Sequence, residues 1–327
     1  MFNFSLWHYP VFFCLWLLST FPALSVHAES FILPPPDVDL VGEIRIVFAR
    51  HEDTLIDIAR RYSIGYEEII KTNPGIDRWM PGDGTPVVLP TRYILPDAPR
   101  QGIVLNVSEM RLYYYPKPKS GEKPLVITYP VSIGRMDWKT PLGTTTIVKK
   151  QKDPPWYPPA SIKAEHAAEG EILPDMIPGG PDNPLGRYAL RLGIPGYLIH
   201  STNKPYGIGM RVTHGCIRMY PEDIEEFFPM VSVNTPVRIV NQPAKAGWLA
   251  NMLFLEAHAP LEEDKLPIEV TLKDAIAAVT AKAVPRMSVN PSAIQLAVEQ
   301  ASGLPVPISH ELSAKTPTAK TLGGSPD

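Results

Sequence analysis

Val212-Thr213-His214-Gly215-Cys216-Ile217-Arg218-Met219 is the stretch on which the reading of this chain turns. The chain has two cysteines, and the other, Cys14, falls in an apolar N-terminal segment that reads as an export signal. Cys216 is then the one thiol of the mature protein. Exported cysteines usually pair, so a single one points to an intermolecular bridge or to a reactive group. Two histidines frame it, His214 two residues earlier and His200 sixteen residues earlier. A thiol with a candidate base and a glycine at its elbow is the equipment of a cysteine acyl transferase, because a weak nucleophile needs a neighbour to take its proton.

Toward the N-terminus, Val11 to Leu18 forms an apolar core of signal-peptide length, too short to cross a bilayer as a helix. Val26 and Ala28 stand at the −3 and −1 positions of a cleavage site, which makes residues 1–28 a signal peptide. No Lys or Arg precedes the apolar run, so an uncleaved anchor is the alternative. No other stretch approaches 18 apolar residues, so no transmembrane span is expected in the mature form, and the periplasm is the expected compartment. A net charge of −3 and the lack of a basic block argue against nucleic acid as a partner. The 38 prolines favour ordered loops and linkers over helices.

Residues 42–91 read as a small α+β unit. Ile44 to Val47 is a strand candidate, and His51-Glu52-Asp53-Thr54 supplies cap chemistry for a helix with Leu55, Ile58, Ala59 and Tyr62 on one face. A second helix from about Tyr66 to Thr72 stops near Asn73-Pro74-Gly75, and Val87-Val88-Leu89 closes the unit after a Pro-Gly turn. This βααβ order resembles a LysM domain, although Glu52 stands where that family usually has glycine. The resemblance implies binding to the N-acetylglucosamine-containing glycan of cell walls. As a tether, the unit would add affinity and no chemistry, so a protein starting near Arg100 is expected to keep its activity on soluble fragments.

Residues 100–241 change to short β runs: Ile103 to Val107 and Arg111 to Tyr115 around a turn, then Leu125 to Ser132, Thr144 to Lys149, Tyr188 to Leu192, Tyr197 to His200 and Val237 to Val240. The pattern predicts a mainly β antiparallel domain, a sandwich or a barrel-like sheet, with one clear helix at about Pro221 to Phe228. The stretch from Lys149 to Leu185, with eight prolines and Trp156-Tyr157, is expected to be an irregular, ordered lid beside the site. Residues 245–310 read as a small C-terminal α/β subdomain. It has a strand at Leu253 to Leu255 and helices at Thr271 to Ala283 and Pro291 to Ser302, the last capped by Asn290. Residues 311–327 have the composition of a disordered tail.

Ile199-His200-Ser201-Thr202 followed by Thr213-His214-Gly215-Cys216 resembles the signature of L,D-transpeptidases with a YkuD-type catalytic domain. Thr140-Pro141-Leu142-Gly143 and Gly180-Pro181-Asp182-Asn183-Pro184-Leu185-Gly186 add to the match, and the C-terminal part looks like the ErfK/YbiS/YcfS/YnhG-like branch. The resemblance implies that Cys216 is the nucleophile, that His200 takes its proton, and that the Ser201 carbonyl holds the other ring nitrogen. His214 shapes the site or relays protons, and the Gly215 and Cys216 amides are candidate oxyanion donors. Thr213, Arg218 and, on the lid, Trp156 are candidate substrate contacts. Arg218 stands where many members have Asn, and it either meets a substrate carboxylate or pairs with Glu222 or Asp223.

The implied substrate is peptidoglycan: Cys216 attacks the L–D amide between residues 3 and 4 of a tetrapeptide stem and releases D-alanine. An amine of a second stem or of a wall-anchored lipoprotein then takes the acyl group. No cofactor or metal is called for, and no CxxC, HExxH or phosphate-cradling loop appears. An L,D-carboxypeptidase using the same thioester and a non-catalytic wall-binding protein are the competing readings.

Overall fold

Residues 29–135, 138–261, 267–285 and 287–310 are described in the structure, a computed structural model of the chain. The expected signal peptide and C-terminal tail lie outside the described residues.

The described chain opens with β1 (Glu29–Ile32), β2 (Leu40–Gly42) and β3 (Arg45–Phe48), then α1 (Leu55–Arg61), α2 (Tyr66–Thr72), β4 (Pro86–Leu89) and β5 (Arg92–Ile94). The expected order is present as β3–α1–α2–β4, with β3 and β4 antiparallel. Thr54 starts α1 by a reciprocal cap: its hydroxyl accepts from the Asp57 amide at 3.0 Å, and Asp57 accepts from the Thr54 amide at 3.1 Å. Leu55, Ile58 and Ala59 then turn inward onto Ile69, Val87 and Leu89. β1, for which the sequence carried no prediction, pairs with a strand at the edge of the large sheet that follows.

Next come β6 (Gly102–Asn106), β7 (Arg111–Tyr115), β8 (Leu125–Pro130), β9 (Ile133–Gly134) and β10 (Gly143–Lys152), followed by α3 (Ala160–Ala168), β11 (Tyr188–Leu192) and β12 (Leu198–His200). β13 (Arg211–Thr213), β14 (Ile217–Arg218), α4 (Pro221–Met230) and β15 (Pro236–Val240) complete this part. It is mainly β, as expected, but the pairing is not antiparallel throughout. One nine-stranded sheet runs β1-β8-β7-β6-β15-β10-β11-β12-β14, with β9 and β13 as a separate pair. β6 pairs with β15, and β12 with β14, in parallel. Parallel neighbours need a long crossover, which residues 201–216 supply between β12 and β14.

β6 and β7 are buried on both faces. Leu105 and Leu112 pack in the main core with Ile224 and Phe227 of α4, while Val104 and Tyr113 pack on the other face with Tyr93. The Lys149–Leu185 stretch is not wholly irregular, because α3 lies within it. Residues 160–170 contain no proline and are rich in Ala, with two Glu, which favour helix.

The C-terminal part consists of β16 (Ala244–Leu249), β17 (Met252–Ala257), α5 (Ile268–Lys282), α6 (Pro291–Gln300) and β18 (Val306–Pro307). β16 and β17 form a hairpin whose turn residues, Ala250 and Asn251, both have positive φ (49° and 60°). Asn290 caps α6 as expected, accepting from the Ala293 amide at 3.2 Å. A buried ionic junction joins all three parts. Lys245 lies 2.9 Å from Glu109, 2.7 Å from Glu256 and 2.6 Å from the Ile94 carbonyl, and Glu256 also accepts from the Ile94 amide at 2.6 Å.

Candidate active site

The parallel pairing of β12 and β14 sets Ile199 beside Ile217 and His200 beside Arg218. Cys216, one residue before β14, therefore falls beside Leu198, on the face that carries His200 and Arg218. Residues far apart in sequence are thus brought into one row pattern, and β11 extends it, with Arg191 across from Leu198. The partly buried Cys216 thiol lies 3.6 Å from the Gly196 carbonyl.

His200 is buried, and its Nδ1 lies 2.6 Å from the Ser201 carbonyl. A carbonyl only accepts, so Nδ1 carries the proton and Nε2 is the basic nitrogen of the neutral ring. Burial pushes His200 down to about 3, the Arg218 guanidinium adds to the fall, and the backbone of Ser201 and Leu185 opposes it. Burial also raises the Cys216 thiol above its ordinary value, while the Leu198 backbone and the guanidinia of Arg218 and Arg191 pull it back. Both shifts favour the uncharged forms of the thiol and of the imidazole.

Arg218 takes neither carboxylate partner considered from the sequence. Glu222 is held by Arg60 at 2.7 and 3.1 Å, and Asp223 accepts from the Ser63 hydroxyl at 2.9 Å. The Nε of Arg218 is buried without an acceptor among the described residues, and burial lowers the guanidinium's pKa. A partly desolvated cation next to the thiol, with its Nε free among the described residues, is suited to an anionic ligand.

His214 faces the lid. Its Nε2 lies 2.8 Å from Glu165 of α3 and 3.3 Å from Arg135, and Trp138 meets its ring edge-on at 5.2 Å. Arg135 first, and His214 second, hold the Glu165 carboxyl down to about 2. Gly215 has φ +98°, and a Cβ there would stand 2.8 Å from the Tyr197 ring, so only glycine fits. Thr213 is buried, with its hydroxyl on the Cys216 carbonyl at 2.6 Å, so it shapes the turn and is not presented as a substrate contact. Trp156 bonds to Ile177 through both backbone groups at 2.8 Å, at the foot of the lid.

Two residues carry more than the sequence disclosed. Buried Asn183 brings its amide within 2.8, 3.2 and 3.0 Å of the Pro154, Ile177 and Pro178 carbonyls, which fastens the base of the lid. Thr140 bonds both Gly134 and Gly215. Their motifs were visible, but the partners lie too far along the chain to be read from spacing. A cavity of about 770 Å³ lies elsewhere, lined by Pro36, Pro96, Arg100 and Lys282 among others. Among the described residues the cluster with metal-ligand character is Glu109, Glu256 and His258, but the Lys245 ammonium already sits between its carboxylates.

The L,D-transpeptidase catalytic domain of the YkuD family matches residues 100–239. The probable L,D-transpeptidase YcfS of Escherichia coli K12 is 37% identical over 90% of this chain and 93% of its own length. The probable L,D-transpeptidase YbiS of the same strain is 38% identical over 85% and 92%. A crystal structure of L,D-transpeptidase 3 from Mycobacterium tuberculosis is 21% identical, covering 48% of this chain and 67% of that one, with a TM-score of 0.31, too weak a likeness to bear on the fold. With a catalytic-domain match that includes the Cys216 site and relatives aligned along nearly the whole chain, this protein belongs to the L,D-transpeptidase family.

Proposed function

We propose that the protein is an exported, periplasmic L,D-transpeptidase that remodels peptidoglycan through a thioester on Cys216. The observation that carries this reading is the His200 ring, held through Nδ1 by the Ser201 carbonyl on the strand beside Cys216, with Arg218 in register. The thiol proton passes to His200 Nε2 as sulfur adds to the carbonyl between stem residues 3 and 4. The Gly215 and Cys216 amides receive the oxyanion, the C–N bond breaks, and the proton leaves with the D-alanine nitrogen. An acceptor amine then forms the new C–N bond, the C–S bond breaks, and the thiol is restored. Arg218 holds a stem carboxylate, and His214 acts beside the lid. The acceptor is a second stem or a wall-anchored lipoprotein lysine.

The β3–α1–α2–β4 unit is read as a LysM-type module. In support, Trp79 and Met80 are exposed directly after Arg78, whose carbonyl takes the first amide of α1 at 2.9 Å, a surface suited to stacking on a sugar.

Incubation of the protein with disaccharide-tetrapeptide, read by mass spectrometry, tests the reading. A crosslinked dimer is expected, and it should vanish in Cys216→Ala. Tripeptide without dimer would make the protein a carboxypeptidase, and unchanged substrate a non-catalytic wall binder.

A further inference from the structure

Two threonine hydroxyls grip the peptide groups on either side of Cys216. Thr140 Oγ1 donates to the Gly215 carbonyl at 2.9 Å and accepts from the Gly134 amide at 3.0 Å. Thr213 Oγ1 donates to the Cys216 carbonyl at 2.6 Å. Thr140 is 9% exposed and Thr213 1%, so water does not compete strongly for either bond.

The Gly215–Cys216 peptide is trans, since no cis bond occurs among the described residues. In a trans peptide the C=O and N–H point in opposite directions. Drawing the Gly215 carbonyl onto Thr140 therefore turns the Cys216 amide away from Thr140. Neither the Gly215 nor the Cys216 amide makes a backbone hydrogen bond among the described residues. The loop cannot readily twist out of this arrangement. A Cβ on Gly134 would stand 1.8 Å from the Trp138 carbonyl oxygen and 3.0 Å from the Gly215 Cα.

We propose that Thr140 is the positioning residue of the oxyanion site, fixing through the Gly215 carbonyl the direction in which the Cys216 amide donates. The inference rests on the acyl-transfer reading. When sulfur adds to the stem carbonyl, the C=O π pair moves onto oxygen, and an N–H already aimed there stabilises the charge without reorganising. The pair returns when the C–N bond breaks. Thr140 touches neither substrate nor sulfur in this scheme and acts only through the peptide it holds.

The test compares two reactions of the same thiol in the full chain. Acyl transfer from disaccharide-tetrapeptide passes through an oxyanion, whereas alkylation by iodoacetamide displaces iodide at a saturated carbon and does not. Thr140→Val keeps the shape and removes the hydroxyl. It should lower kcat by about 100-fold, the scale of losing one oxyanion donor, with KM and alkylation rate unchanged. Thr140→Ser keeps the hydroxyl and should restore most of kcat, and it carries the comparison with Thr140→Ala if the valine variant folds poorly. Parallel loss of both reactions, or wild-type kcat in the variants lacking the hydroxyl, overturns the proposal. Wild-type protein that alkylates at Cys216 yet transfers no acyl group overturns the underlying reading, and the inference with it.

Discussion

Gly65 and Gly209 meet backbone to backbone: a Cβ on Gly209 would stand 2.4 Å from the Gly65 Cα. Just beyond Gly65, the Tyr66 and Glu67 amides at the start of α2 donate to the Ile208 and Gly209 carbonyls at 2.9 and 3.2 Å. Those carbonyls belong to the segment that joins His200 to Cys216. Glu68 accepts from the Gly65 amide at 2.6 Å and receives Arg111 of the catalytic sheet at 2.9 and 2.8 Å. The N-terminal unit is therefore the back wall of the catalytic loop, and not a body hung on a linker.

Removing everything before about Arg100 should consequently destabilise the rest, against the expectation drawn from a tether. Arg111 is fully buried and would lose Glu68. The Tyr93 ring that covers Arg111 goes as well, so the cost lies in apolar surface opened to water around Val104 and Tyr113, enough to lower the melting temperature by roughly 10 °C. A truncated protein that melts with the full chain and turns over soluble muropeptides at the full rate would show the docking to be inert.

The thiol should show no sign of a preformed ion pair. Burial raises Cys216 and lowers His200 to about 3, so neither group is charged at neutral pH. The rate of iodoacetamide alkylation should climb only above the ordinary thiol value of about 8.5. An added step on the acid side, at roughly pH 4–7, is the mark of a thiolate–imidazolium pair and would contradict this site.

Arg218→Met should separate stability from activity. The side chain leaves a buried donor without an acceptor, so an apolar replacement should hold or raise the melting temperature. Turnover of the tetrapeptide should fall by about 10-fold or more, as expected for loss of a charge-assisted carboxylate contact. Substrates amidated at the recognised carboxylate should be handled alike by both proteins. Equal discrimination against the amide in the variant would remove Arg218 from substrate binding.

Asp223, at the docking surface, should make stability fall as pH rises. Burial raises its carboxyl to about 7 against the pull of the Ser63 hydroxyl, so the folded protein keeps a proton that the unfolded chain releases near 4. Stability from this group is complete below the unfolded value and declines as pH rises through the folded one. Asp223→Asn should therefore gain over wild type between about pH 4 and 8 in thermal melts. A gap that shrinks as pH rises would reverse the assignment.

Local chemistry made much of this legible. Thr54 and Asn290 mark their helices because a cap acts within three residues, and Gly215 and Cys216 announce the site because their chemistry is carried by single side chains. What stayed hidden depends on partners distant in sequence. Glu68 reads as one more acid on a helix until Arg111 meets it, and Thr140 as part of a turn until Gly215 closes on it. β1 gave no signal because four residues with alternating burial become a strand only where the edge of β8 is waiting. α3 was masked by the prolines around it.

The docking of the N-terminal unit also fixes a length. On the LysM reading proposed above, a glycan strand held on the outer face near Trp79 would not swing about a hinge to offer its stems, because α2 is bonded to the loop that ends in Cys216. On that reading, only a stem attached at one particular offset along the polymer would reach the thiol. The protein would then act as a ruler, advancing to new stems by stepping along the strand and selecting them by spacing as well as by chemistry.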